Sequence, residues 1–270
     1  MALSKNLHLG HDGTACPHAY YVRQDTDRFI STLHAQGSWQ PGEQHLAPAA
    51  GLVLAEAERR LPGDKLISRV TFDVLGVIHS GPFTIEVDVV RPGRTIELIE
   101  ARMCHGHQTS IQARIWRLET SDTTSIQALE WNTLPPRETM PTVRLGDIWT
   151  GGFMATLEAH QSTGNRPGRG QTWLRTEVPL VADEIDPPVA GFTKLVDTVN
   201  GISARLHSDQ AFFANVDLTV HFIRQPTPGW VGFDTHVNFG PTGLGETFAV
   251  LSDAHGPVGT VAQSLTLRLR

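Results

Sequence analysis

Between positions 46 and 61 the apolar residues Leu52, Leu54, Ala55, Ala57 and Leu61 recur at helical spacing, Glu56, Glu58, Arg59 and Arg60 gather to one side, and Pro62-Gly63 follows. That pattern predicts a helix stopped by the Pro-Gly pair. The period then changes from helical to alternating. Segments 68–74, 83–90, 96–104 and 109–118 read as strands, with turn signals at Pro92-Gly93-Arg94 and His105-Gly106-His107, a hairpin spacing that predicts an antiparallel sheet. The apolar clusters Tyr20-Tyr21-Val22 and Phe29-Ile30 predict a strand that begins this sheet. The pattern then returns: a strand at 172–179, a helix from Pro188 to about Arg205, and strands near 212–223, 230–239, 247–252 and 258–269.

The return is a duplication. Pro48-Ala49-Ala50-Gly51 opens the first helix and Pro188-Val189-Ala190-Gly191 the second, and the closing strands 111–118 and 262–269 place Gln112 and Gln263 at matching positions. The repeat is too long for a solenoid, and two copies in one chain suggest a pseudo-two-fold pair. Residues 1–132 form the first repeat and 146–270 the second. The proline-rich stretch around Leu134-Pro135-Pro136 makes 133–145 a linker, because proline is excluded from central strands and helix interiors. A helix followed by antiparallel strands, twice, is an α+β architecture in which each sheet wraps its own helix.

Composition narrows the function. An apolar share of 40% supports a sizeable core, and 22 basic against 28 acidic residues give a net charge of -6 without a long run of either sign. Nucleic acid and anionic membrane are therefore not expected partners, and a small molecule is. Cys16 and Cys104 lack paired spacing and read as free thiols of a reducing, cytoplasmic compartment; the N-terminus has no apolar signal-peptide core, and no apolar run reaches membrane-spanning length. The thirteen histidines, His8, His11, His105, His107 and His221 among them, form no metal-ligand motif. No metal or other cofactor is expected.

Three runs point further: 215–226 (Asn215-Val216-Asp217-Leu218-Thr219-Val220-His221-Phe222-Ile223-Arg224-Gln225-Pro226), 229–234 (Gly229-Trp230-Val231-Gly232-Phe233-Asp234), and 251–259 followed by Ala262-Gln263-Ser264. Together they resemble the C-terminal half of the thioesterase-like, double hotdog acyl-CoA thioesterases, whose best-known branch is acyl-CoA thioesterase II. The first half adds Thr71-Phe72-Asp73-Val74-Leu75, Gly81-Pro82-Phe83 and Val89-Val90-Arg91-Pro92-Gly93-Arg94. The resemblance implies a double hotdog fold, hydrolysis of an acyl-CoA to free acid and coenzyme A, and a homo-oligomer of double hotdog units. In that family a carboxylate, a hydroxyl residue and a glutamine position the attacking water. Asp217 and Gln263 fall on the carboxylate and glutamine positions. Counting from Trp230, the hydroxyl position falls near Asn238, whose amide can also orient water; the nearest hydroxyls are Thr235 and Thr242. The resemblance further places the site between the halves. Glycine permits close approach to backbone N–H groups at a helix start, which suggests Gly51 or Gly191 against the thioester, Gly51 being the better partner for Asp217. The Gly240–Gly245 hairpin, with Gly243, would lie near the coenzyme A arm.

Other readings compete at each position. Asp217 alternates with Thr219 and His221 against Val216, Leu218, Val220 and Phe222, the pattern of a solvated strand residue. Gln263 shares parity with Val261 and Leu265, so its amide needs a partner on an apolar face, where leaving it unpaired costs about 1 to 3 kcal/mol. Gln112 offers a duller reading, in which both glutamines serve a recurring feature of the duplicated sheet. Alternation also sets Asp217 and Gln263 on opposite faces, and only a bulge or a strand end would reunite them. Asp197 and Asn200 are odd in a buried helix, marking either a polar patch at the cleft or, with Gly201, a helix C-terminal cap. Two other functions remain: a hotdog enoyl-CoA hydratase, which needs an Asp and a His together, and a non-catalytic acyl-CoA or lipid-binding module.

Overall fold

Helix α1 (Leu46–Arg60) occupies the predicted span, and its start is built by one side chain. His45 stands at the N-cap, where its Nδ1 accepts the Ala47 N–H at 3.1 Å. Pro48 sits in the first turn, where the N–H it lacks would have had no intrahelical acceptor. Eleven of the twelve residues from Leu46 to Ala57 are buried, Ala55 being the exception. Glu56 is the polar exception, and Arg23, Arg59 and Arg60 ring its carboxylate at 2.7–3.1 Å.

The computed structural model describes residues 18–270, so Cys16, His8, His11 and the N-terminal segment lie outside the described residues. Strands β1 (Tyr21–Arg23), β2 (Arg28–Ser31), β3 (Leu66–Val74), β4 (Pro82–Arg91), β5 (Ile96–His105) and β6 (Gln108–Leu118) belong to the first half. The second half carries β7 (Thr142–Val143), β8 (Glu158–Gln161), β9 (Arg169–Arg175), the short helix α2 (Pro188–Thr193), β10 (Ala211–Phe212), β11 (Asp217–Phe222), β12 (Val231–Phe239), β13 (Leu244–Asp253), β14 (Gly256–Thr266) and β15 (Arg268–Leu269). Thirteen strands form one sheet in the order β1-β2-β4-β5-β6-β3-β11-β14-β13-β12-β9-β8-β7. The seam is the antiparallel pair β3–β11, with Thr71 opposite Thr219. On either side of it the order β6-β5-β4-β2 is mirrored by β14-β13-β12-β9, the duplication in three dimensions.

The helices meet where the repeat placed its glycines. A Cβ on Gly51 would lie 2.7 Å from Lys194 Cβ and 3.0 Å from the Ala190 carbonyl oxygen. Gly51 thus lets the helix backbones touch. The second helix departs from expectation: α2 ends at Thr193, and Val196–Asn200 continues as a 3-10 segment rather than as α-helix to 205. Its β-branched residues (Thr193, Val196, Thr198, Val199) favour helix poorly, and Thr198 Oγ1 donates back to the Leu195 carbonyl at 2.7 Å. The chain also stitches across the halves near its start, where the backbone N–H groups of Tyr20 and Tyr21 donate to Pro179 and Leu180, and Ala182 N–H donates to Tyr21. β7 falls within the segment read as a linker, which further packs Leu134 and Met140 on Trp173 and gives the Trp173 Nε1–H an acceptor at Pro135.

Candidate active site

The 3-10 segment brings Asp197 to the point where the halves meet. Its carboxylate is 4% exposed. Oδ1 accepts two amides, from Gln263 Nε2 on β14 at 2.7 Å and from Asn215 Nδ2 just before β11 at 2.8 Å. Oδ2 accepts neither amide and lies 3.5 Å from His45 Nδ1 at the start of α1. Burial pushes the Asp197 carboxyl up from 3.8 to about 7 against the two amides, which favour the ionised form. Burial pushes His45 the other way, to about 4. The two groups are therefore no ion pair at neutral pH. Since His45 Nδ1 accepts the Ala47 N–H, the neutral ring carries its proton on Nε2.

Two further polar groups on these elements lack partners. Gln263 Oε1 is buried with no hydrogen-bond partner, an expensive state unless a small polar molecule completes it. The other is the Leu46 N–H. Of the first-turn groups of α1, His45 N–H donates to Ala35, Ala47 N–H to the His45 ring, and Pro48 has none; Leu46 retains an orphan donor of the kind every helix start leaves. A cavity of about 450 Å³ is lined by His45, Leu46, Asp197 and Asn215 together with segments 37–40 and 76–78; Gln263 lies behind Asp197 and does not line it. Among the described residues no group of acidic, His and Cys side chains is arranged to hold a metal ion, and no helix is long and apolar enough to cross a membrane.

The family model for the acyl-CoA thioesterase C-terminal domain matches residues 132–267, half of the chain, and that for the acyl-CoA thioesterase N-terminal domain matches residues 35–118. The chain belongs to the acyl-CoA thioesterase family. Among solved structures it is similar to a conserved protein of unknown function with a hotdog fold from Alicyclobacillus acidocaldarius, at TM-score 0.75 and 15% identity over 93% of this chain and 97% of that one. It is similar also to the acyl-CoA thioesterase II TesB2 of Mycobacterium marinum, at TM-score 0.66 and 16% identity over 94% and 96%. A tesB protein of Mycobacterium avium subspecies paratuberculosis gives TM-score 0.67 and 17% identity over 92% and 95%. These likenesses show the double hotdog, α+β fold. No curated protein matches the chain in sequence.

In this acyl-CoA thioesterase family member the residues expected from sequence do not all converge. Gln263 faces inward and meets a carboxylate, but that carboxylate is Asp197. Asp217 stands on the outer face of β11, opposite Asp73 of β3, and its Oδ1 accepts the Ser264 N–H at 2.5 Å. Register explains the correction: Thr219 pairs with Ala262, which puts Leu218 beside Gln263 on the inner face and Asp217 beside Ser264 on the outer. The pairing slips by one residue just beyond Asp217, where Val216 N–H donates to Ser264 and Asn215 bridges Leu265, and it is Asn215, not Asp217, that joins Gln263 at Asp197. Asn238 is exposed on β12 opposite Glu246, so the amide beside the carboxylate is that of Asn215 instead. Gly51 is spent on the helix crossing, Gly191 lies near Asp186, and Gly243 shapes the β12–β13 turn with φ of 86°. None of the three lines the cavity. Gln112 is no counterpart of Gln263: its Nε2 donates to Glu100 at 2.8 Å. The eighth residue of β14 is Gln263, and the eighth of β6 is the buried Ile115. Gly201 has φ of -78°, so no left-handed cap forms after Asn200, and the polar patch is the reading that holds.

Proposed function

We propose that this protein hydrolyses an acyl-CoA to the free acid and coenzyme A, with Asp197 as general base, Gln263 and Asn215 as positioning residues, and the Leu46 N–H as oxyanion donor. The observation that carries this reading is a buried carboxylate, raised to about 7, with one oxygen fixed by two amides and the other unclaimed by them, and with the carbonyl of one of those amides, Gln263, left without a partner. A water donating to Asp197 Oδ2 and Gln263 Oε1 keeps a lone pair for the thioester carbon. As the C–O bond forms, its proton passes to Asp197 and the carbonyl oxygen becomes an oxyanion facing the helix start. Collapse breaks the C–S bond, and Asp197 returns the proton to the departing thiolate, whose ordinary pKa of about 8.5 lies above that of the carboxyl.

The two amides explain how an asparagine serves where the family has a hydroxyl. Asn215 Nδ2 holds both Asp197 Oδ1 and the Asp217 carbonyl, at 2.8 and 3.0 Å, which fixes the carboxylate plane as a Thr hydroxyl would with one bond fewer. A hydratase needs an Asp and a His together, and His45 is adjacent. Its Nδ1, however, is committed to the helix cap and its Nε2 carries the proton, so it has no site to accept one. Thiol release from a panel of acyl-CoAs, with Asp197→Asn beside wild type, tests the proposal. Turnover abolished by the substitution supports it, and undiminished turnover refutes it.

A further inference from the structure

Beside the catalytic cavity, past Trp39 and His45, lies a second, small space of about 30 Å³ bounded also by Trp149, Met154, Asn200 and Gly201, room for a water or two. On the other side of Trp149 and Gly201 opens a third space of about 430 Å³, lined by Leu145, Ile148 and Leu206 together with Arg166 and Arg205. One side chain divides the second space from the third. The Trp149 indole is held by an Nε1–H donation to the Gly201 carbonyl at 3.1 Å and by edge contacts with Trp39 and Phe213 at 5.7 and 6.0 Å between ring centroids.

We propose that Trp149 is the acyl-length stop of this site and restricts it to short acyl groups, of the acetyl-to-butyryl class. The inference rests on the thioesterase reading, because that reading fixes the carbonyl at Asp197. Coenzyme A carries phosphates, which cannot be buried without pairing, and among the described residues no Lys or Arg lines the catalytic cavity. Its phosphates therefore stay in solvent, its pantetheine arm fills the open cavity between segments 37–40 and 76–78, and the acyl group points inward, at the void that Trp149 closes. Removing the indole joins the void to the 430 Å³ space and gives a longer chain somewhere to go.

The experiment measures kcat/KM for acetyl-, butyryl-, octanoyl- and dodecanoyl-CoA with wild type, Trp149→Ala and Trp149→Phe, and in parallel the binding of the non-hydrolysable S-butyl and S-dodecyl thioethers of coenzyme A. A methylene that does not fit costs roughly tenfold or more. Wild type should fall by at least about 100-fold between butyryl and octanoyl. Trp149→Ala should narrow that ratio by at least about tenfold, and Trp149→Phe, which keeps a wall, should leave it nearly as it was. Should Trp149→Ala fail to fold, Trp149→Leu replaces it, and the wild-type profile decides independently of any variant. Equal turnover of butyryl and dodecanoyl by wild type overturns the stop, as does equal binding of the two thioethers. Absence of turnover with selective binding of the short thioether refutes the hydrolase and upholds the wall; binding of neither refutes both.

Discussion

Asp197→Asn tests chemistry and stability together, because the substitution keeps the shape of the site while deleting its charge. An asparagine carbonyl can still accept from Gln263 and Asn215, the donors that hold Asp197 Oδ1 at 2.7 and 2.8 Å, so the fold has no reason to fail. What disappears is the proton acceptor, and loss of a general base slows turnover by about 10²- to 10⁴-fold, or about 3 to 5 kcal/mol of barrier. Stability should move the opposite way. Raising the carboxyl from 3.8 to about 7 corresponds to at most about 4 kcal/mol, at about 1.4 kcal/mol for each power of ten in the ionisation constant. With the folded value above the unfolded one, the folded chain binds the extra proton between about pH 4 and 7. That contribution is complete below the unfolded value and lost as pH rises through about 7. Urea denaturation at pH 5 and pH 8.5 should therefore show wild type losing stability with rising pH relative to Asp197→Asn, by up to a few kcal/mol. Wild-type kcat/KM should rise with pH to a plateau with an inflection near 7, where the base becomes available. Two results refute the reasoning: a profile flat from pH 5 to 9, or a variant within about fivefold of wild type. Asp217→Asn is the control, and it should leave the rate unchanged.

Gln263→Leu removes both a donor to Asp197 and the unpartnered carbonyl; we expect kcat to fall by about 10²-fold with little change in KM, and steady-state kinetics reads it. Asn215→Ala loses one of the two bonds to Asp197 Oδ1, so the kinetic inflection near 7 should move up in pH, which the pH dependence of kcat/KM measures. Burial pushes the Glu56 carboxyl up, but Arg59 and Arg23 outweigh it and hold it below its ordinary value, so its contribution to stability persists above about pH 4 and is lost as pH falls. Glu56→Gln removes the buried charge that Arg23, Arg59 and Arg60 share, while those partly exposed arginines keep solvent and Arg23 keeps Glu184, and it should cost about 1 to 3 kcal/mol at pH 7 by urea denaturation; its effect should vanish in acid.

The fold was legible wherever one physical pattern ran uninterrupted. The helical stripe from Leu46 and the alternating segments after it became α1 and β3–β6 within a residue or two of the expected limits. The site was legible only in fragments. Gln263 was marked by parity, as a polar residue on an apolar face, and its partner is indeed polar. Asp217 followed from similarity along a strand, while the parity argument already put it on the wrong side; that alternation is a backbone constraint, and it held. Asp197 was visible as a carboxylate out of place in a buried helix, but the signal cannot name its partners, since Gln263 and His45 reach it through a strand 66 residues later and a helix start in the other half. Asn215 was hidden for a similar reason: it precedes β11, where a short irregular stretch turns its side chain inward and no period applies. The breaking of α2 escaped because apolar spacing looks alike in an α-helix and a tightened 3-10 turn.

The backbone stitch between Tyr20–Tyr21 and residues 179–182 sets an order on biosynthesis. A nascent chain presents β1 and β2 early, yet the acceptors for Tyr20 and Tyr21 are some 160 residues away in sequence, so the first repeat leaves the ribosome with an unpaired edge. Exposed edges of that kind recruit other strands. The seam strand β3 waits still longer, for β11. The seam of the duplicated fold therefore closes late in synthesis, and until β11 emerges the first half carries two strand edges, at β1 and at β3, whose partners are not yet made.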